Sequence, residues 1–191
     1  MSGTTGRRQG ADSGDVGAEF FRMGFEYYVL GRFGFFGRLY AVAGNTFHHA
    51  VEMLLKGSLA SSLSLEDVTA FCHNLPALWD SFRKANPDAS IPSACDKAIG
   101  RLHQFERIRY PDLAVTSGLA VAMAVGETSR GQVKSGRGRS LPKYALSLKA
   151  VDQLTALIFY VSGVNPRFFA SALAPEARAV LVRANASAKH W

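Results

Sequence analysis

Cysteine is almost missing from this chain: Cys72 and Cys95 are the only two in 191 residues, far apart and in no paired spacing. A four-cysteine zinc site is thereby excluded, and no disulfide framework is expected. Negative charge is scarce too, with 15 acidic residues against 22 Lys and Arg, a net charge of +7 and a pI near 9.7. That excess favours an anionic partner: nucleic acid, nucleotide or membrane surface. Long apolar runs are lacking. The stretch Leu113 to Gly126 carries Thr, Ser and Gly and falls short of the roughly 18 residues of a membrane span. Met1 to Asp15 is rich in Gly, Ser and Thr around Arg7-Arg8, with no apolar core of a secretory signal. A disordered tail on a cytoplasmic protein is expected, with no membrane attachment.

What remains is apolar enough, at 48%, for one domain with a real core, alone or with an appended subdomain. Ala18 to Leu39 is aromatic and free of proline, and predicts a long first helix. Gly24, Gly31, Gly34 and Gly37 each weaken a helix by about 1 kcal/mol, but their spacing makes a stripe where a neighbouring backbone can approach closely. Asn45 or Thr46 is expected to cap a second helix from Phe47 to about Leu59, with Phe47, Ala50, Val51, Leu54 and Leu55 as its core face. Ser64 caps a segment from Leu65 to Cys72, and after a bend a helix restarts at Pro76 and runs through Lys84. Pro92 and Ser93 open a fourth helix through about Ile108, and Pro111 ends it. Leu113 to Val125 reads as strand, Tyr144 to Leu148 pairs back as a weak β-hairpin, and the Gly/Ser loop between them is basic. Helices from Leu148 to Val161, from Asn165-Pro166, and from Pro175 to about Arg183 follow.

Three patches carry more than architecture. The run Asn45-Thr46-Phe47-His48-His49-Ala50-Val51-Glu52-Met53-Leu54-Leu55-Lys56 sets His48, Glu52 and Lys56 along one polar helix side. His73-Asn74-Leu75-Pro76-Ala77-Leu78-Trp79 and Phe105-Glu106-Arg107-Ile108-Arg109-Tyr110-Pro111 follow at intervals. In this order the patches resemble the HEPN superfamily over about residues 18 to 112. The resemblance implies an up-and-down bundle of four or five helices, often a symmetric dimer, and a link to RNA or nucleotide chemistry. Catalytic members are metal-independent endoribonucleases, with an arginine followed four to six residues later by a histidine. This chain departs from that spacing: Arg101 is followed by His103, on nearly the opposite helix side, and Arg107 and Arg109 meet no histidine before His190.

The ligand-binding candidates are His48, His49, Glu52, His73, Arg107, Arg109 and Tyr110. His48 and His49 lie one turn from Glu52, and a metal there would need a third or fourth ligand, His73 or His103; the plainer alternative is an intrahelical polar pair, so no metal and no cofactor are expected. His73, before a bend, suits a hydrogen bond to a backbone carbonyl or to Glu52. Arg107 or Arg109 could clamp a phosphate while Tyr110 stacks on a base, or pair structurally with Glu52, Glu106 or Asp112. Arg130, Lys134, Arg137, Arg139 and Lys143 form a basic loop suited to nucleic-acid phosphates.

The expected organisation is mainly α: a tail over 1–17, a HEPN-like bundle over 18–112, a β-hairpin with a basic loop over 113–147, and C-terminal helices over 148–191 packed on the bundle. The expected function is a non-catalytic binding or assembly module, a homodimer recognising RNA or a nucleotide. The alternatives are a metal-independent endoribonuclease with a non-standard Arg/His site, or an accessory, antitoxin-like module binding a protein partner.

Overall fold

The computed structural model describes residues 13–128, 141 and 143–191. The protein is mainly α-helical, with one small two-stranded sheet among the described residues. In chain order the helices are α1 (Ser13–Phe36), α2 (Tyr40–Leu59), α3 (Leu65–Ala70), α4 (Leu75–Ala85) and α5 (Ser93–Phe105). A short 3-10 turn (Glu106–Ile108), α6 (Asp112–Ser117), and strands β1 (Ala120–Ala124) and β2 (Lys143–Ser147) come next. Then follow α7 (Leu148–Val161), α8 (Arg167–Ser171), α9 (Pro175–Val182) and a 3-10 turn at Ala188–His190. None of these helices is long and apolar enough to cross a membrane.

The first two helices form an antiparallel pair held unusually close. A β-carbon on Gly24 would sit 2.8 Å from Leu54 Cγ, one on Gly31 2.6 Å from the Phe47 ring, and one on Gly34 3.2 Å from Ala43 Cβ. The glycine stripe is therefore the surface on which α2 lies. Gly37 falls outside it, beyond the end of α1, and contacts only its own turn. From the other side of α2, Gly44 receives the Phe105 ring of α5, which an added β-carbon would meet at 2.0 Å. Phe47, Ala50, Val51, Leu54 and Leu55 are all fully buried between these neighbours.

Local signals set the shorter helices. Ser64 Oγ accepts from Asp67 N–H at 3.1 Å and starts α3; Asn74 Oδ1 accepts from Ala77 N–H at 3.2 Å and starts α4. Ser147 accepts from Ala150 N–H at 3.3 Å and turns β2 into α7. Each satisfies an amide that the first helical turn leaves unpaired. The C-terminal helices are fastened through Arg32, which is fully buried. It donates to Asp152 of α7 and to the carbonyls of Val180 and Arg183, while Tyr28 donates to Asp152 at 2.6 Å and Asn185 to Tyr28 at 3.0 Å.

Four expectations are corrected. The first helix begins at Ser13, inside the segment assigned to the tail. The second begins at Tyr40, not after Asn45 or Thr46. Those two residues look like caps, but Thr46 Oγ1 donates to the Val42 carbonyl at 2.9 Å and Asn45 Nδ2 to that of Phe105 at 3.4 Å, both from within the helix. The stretch from Leu113 is helical until Ser117 and becomes strand only at Ala120. The strands are not a hairpin: they run parallel, from Ala120 opposite Lys143 to Ala124 opposite Ser147. A parallel pair needs a crossover of roughly a dozen residues or more, and the segment 125–142 has that length.

The glycine contacts give two opposite predictions. Gly44→Ala should destabilise the protein by about 1–3 kcal/mol through overpacking against Phe105. Gly100→Ala, on α5 where an added β-carbon meets nothing within 4 Å, should stabilise it by up to about 1 kcal/mol through helix propensity. Urea denaturation of both variants checks the signs.

Candidate functional site

The polar side of α2 turns inward. His48 and Glu52 are fully buried and Lys56 nearly so. A buried carboxylate is costly unless it is paired, and Glu52 is surrounded by donors. Lys56 Nζ donates to Oε1 at 2.7 Å; His73 Nδ1 donates to Oε2 at 2.9 Å; His49 Nδ1 stands 3.4 Å from the same oxygen. Burial alone would raise the Glu52 carboxyl, but the bonds from His49, His73 and Lys56 outweigh it and bring it down to about 2. His48, His49, Glu52 and Lys56 occupy neighbouring turns of α2. His73 arrives from the α3–α4 turn, where Cys72 adopts a positive φ of 49° and Asn74 starts the next helix.

The end of α5 closes the cluster. His48 Nδ1 lies 3.2 Å from the Leu102 carbonyl, which can only accept, so Nδ1 carries the hydrogen. Burial pushes His48 down to about 4, and the neutral ring then presents a lone pair at Nε2. That atom faces Glu52 Oε2 at 3.7 Å and Glu106 Oε2 at 3.6 Å, acceptors both. His48 Nε2, Glu106 Oε2 and His103 Nδ1 are buried without a hydrogen-bond partner among the described residues, and the His103 ring stacks 6.2 Å from that of His48.

Outside the cluster Arg109 pairs with Glu106 at 3.2 Å, and its guanidinium lies 5.0 Å from the centre of the Tyr110 ring. Its Nη2 also donates to the Tyr110 hydroxyl at 3.1 Å. Tyr110 is 62% exposed, and Arg107 is exposed with no ion pair among the described residues. The candidates His48, His49, Glu52 and His73 thus converge, and Arg109 joins them through Glu106. Arg107 and Tyr110 stand at the rim. Lys143 opens β2; Arg130, Lys134, Arg137 and Arg139 lie outside the described residues.

The sequence reading missed Lys56 as a site member and the whole Arg32–Asp152–Tyr28 network. Asp152 had a signal: it is the one acidic residue in the mostly apolar α7. A cavity of about 650 Å³, lined by Gly17, Phe21, Gly57, Ser58, Ser162 and Phe168 among others, includes none of the cluster residues.

Fold and site together define a mainly helical bundle with a buried carboxylate–imidazole centre. No family model, curated protein or solved structure matches the chain.

The centre makes folding sensitive to acid. The unfolded chain takes up a proton at His48 between about 6.5 and about 4 that the folded chain refuses, so stability falls as pH drops through that window. Glu52 adds stability above its ordinary 4.5 that is lost as pH falls towards about 2. In chelator, urea stability should drop by about 1–3 kcal/mol between neutral pH and pH ~5. His48→Asn should abolish most of that slope.

Proposed function

We propose that this chain is a HEPN-like, non-catalytic binding or assembly module that recognises the phosphates of RNA or a nucleotide, working as a homodimer. The observation that carries the reading is the exposed Arg107, Arg109 and Tyr110 rim beside the buried cluster. A guanidinium supplies the forked donors that a phosphate needs, and an open aromatic face supplies a stacking platform for a base. The net charge of +7 adds long-range attraction. The spacing of Arg101 and His103 supports binding without turnover, because the arginine-to-histidine interval of catalytic members is lacking. Leu30, Phe33, Leu39 and Val42, all 41–62% exposed around the α1–α2 turn, support a second copy at that end.

One observation favours an endoribonuclease as the second reading. His73 is bound to buried Glu52 through Nδ1 at 2.9 Å while its side chain stays 46% exposed. A carboxylate-held imidazole open to solvent is a competent general base.

Fluorescence anisotropy with single-stranded RNA tests the first reading. Affinity should fall with salt, by a slope near 0.7 in log K per phosphate contact, and Arg107→Ala and Arg109→Ala should each reduce the slope by about that amount. Absence of binding at low salt sinks the reading. Cleavage in EDTA to 2′,3′-cyclic phosphate ends, lost in His73→Ala, would replace it with the enzyme. Light scattering should give a dimer, and Phe33→Glu a monomer.

A further inference from the structure

We propose that His48 Nε2, His49 Nδ1, Glu52 Oε2 and His73 Nδ1 form a binding site for one divalent metal ion of the zinc class. The inference goes beyond the phosphate-binding reading and does not rest on it. It also departs from what the sequence led us to expect, which was no metal.

The geometry comes first. One ligand atom from each of the four residues lies within 4.8 Å of all the others. Around Glu52 Oε2 the three imidazole nitrogens stand at 2.9, 3.4 and 3.7 Å. A tetrahedral zinc with bonds of about 2.0–2.1 Å holds its ligands roughly 3.3 Å apart, so the three edges to Oε2 straddle the required length, and the nitrogen–nitrogen edges stay within 4.8 Å. Small rotations of surface-facing His49 and His73 would equalise them.

The second observation is independent of spacing. With the site empty, hydrogen bonds to Glu52 explain His73 and Lys56, and on metal binding His73 would shift its proton from Nδ1 to Nε2 so that Nδ1 can ligate. Hydrogen bonds do not explain His48. Its Nδ1–H is committed to the Leu102 carbonyl, so Nε2 is a lone pair, fully buried and with no hydrogen-bond partner. It points at the lone pairs of two carboxylates. An acceptor aimed at acceptors needs a cation between them. The bond to Leu102 is itself the arrangement that orients a metal-bound histidine, because it fixes the tautomer and the ring plane.

The neighbours fit an ion as well. Lys56 occupies only Glu52 Oε1, which leaves Oε2 as a single-atom ligand. Glu106 flanks the site with further negative charge. Three imidazoles and one carboxylate suit zinc, with cobalt or nickel as substitutes; calcium and magnesium want oxygen cages, and copper(I) wants sulfur. Four protein ligands fill a tetrahedron, so the ion would act structurally, fastening the α3–α4 turn to α2. Half-exposed His73 is the route of entry.

The test uses the full chain, stripped with chelator and exchanged into metal-free buffer. Calorimetric titration with Zn²⁺ should give one ion per chain, and Co²⁺ should give the intense visible absorption of a tetrahedral site. His73→Ala and His49→Ala, at exposed or half-buried positions that should leave the fold intact by circular dichroism, should each weaken binding by about 100-fold or more, at or above the range for losing even an outer-shell partner. His190→Ala, which removes a histidine that is not part of the cluster, should bind as the parent does. Failure of the folded parent chain to bind either ion overturns the proposal, as does parent-like affinity in both cluster variants, or loss of binding in His190→Ala. RNA binding measured separately in EDTA stands or falls on its own.

Discussion

The close approach of α1 and α2 is the constraint from which the rest of the arrangement follows. Glycines at 24, 31 and 34 remove the side chains that would keep the two backbones apart, and Phe47, Ala50 and Leu54 of α2 fill the space. An amphipathic helix normally keeps one face in water. Here α2 is covered by α1 on one side and by α4 and α5 on others, so even its charged stripe is enclosed. Burying Glu52 is then unavoidable, and the His49 and His73 imidazoles with the Lys56 ammonium are what make that burial tolerable.

Two buried carboxylates are handled differently. Asp152 collects Arg32 and Tyr28 on one oxygen, and Arg32 spends its remaining donors on carbonyls at the end of α9. That network ties three distant parts of the chain together, and its guanidinium is fully sealed from solvent. Burial raises the Asp152 carboxyl, against the pull of Arg32 and Tyr28. Asp152 Oδ2 and several atoms around Glu52 alike lack hydrogen-bond partners among the described residues, but the Glu52 cluster lies beside an open edge, with half-exposed His73 on one side and Arg109 on the other. A sealed network with a matched cation suits fastening. An edge cluster that solvent reaches suits a ligand.

Much of this was legible in the residues. The 3.6-residue period of Phe47 to Leu55 marks the core face of α2, and the cap at Ser64 with the prolines at 76 and 92 places the starts of α3 to α5 closely. The glycine spacing announced a close neighbour. What escaped was governed by tertiary packing. Thr46 and Asn45 read as caps because their side chains bond backbone readily, yet they bond it from inside the helix. Strand direction is invisible in short apolar alternation, since both parallel and antiparallel partners bury the same faces. The burial of His48, Glu52 and Lys56 was equally hidden: a polar stripe on a helix looks the same whether it meets water or another helix. Only the contact with α5, through Gly44 and Phe105, decides it.

Glu106 joins the outer rim to the inner cluster. One of its oxygens holds Arg109 at 3.2 Å, and the other lies 3.6 Å from His48 Nε2. A cation bound at the cluster would draw Glu106 inward and loosen its hold on Arg109. A phosphate bound at Arg109 would compete with Glu106 from outside and release the carboxylate towards the cluster. If both ligands bind, each therefore lowers the cost of the other, and the coupling must be equal in the two directions. The helical frame contributes by holding Glu106 at the end of α5, against α2, where a single side chain can reach both. That geometry sets one carboxylate between the cluster and the rim, in reach of both His48 and Arg109.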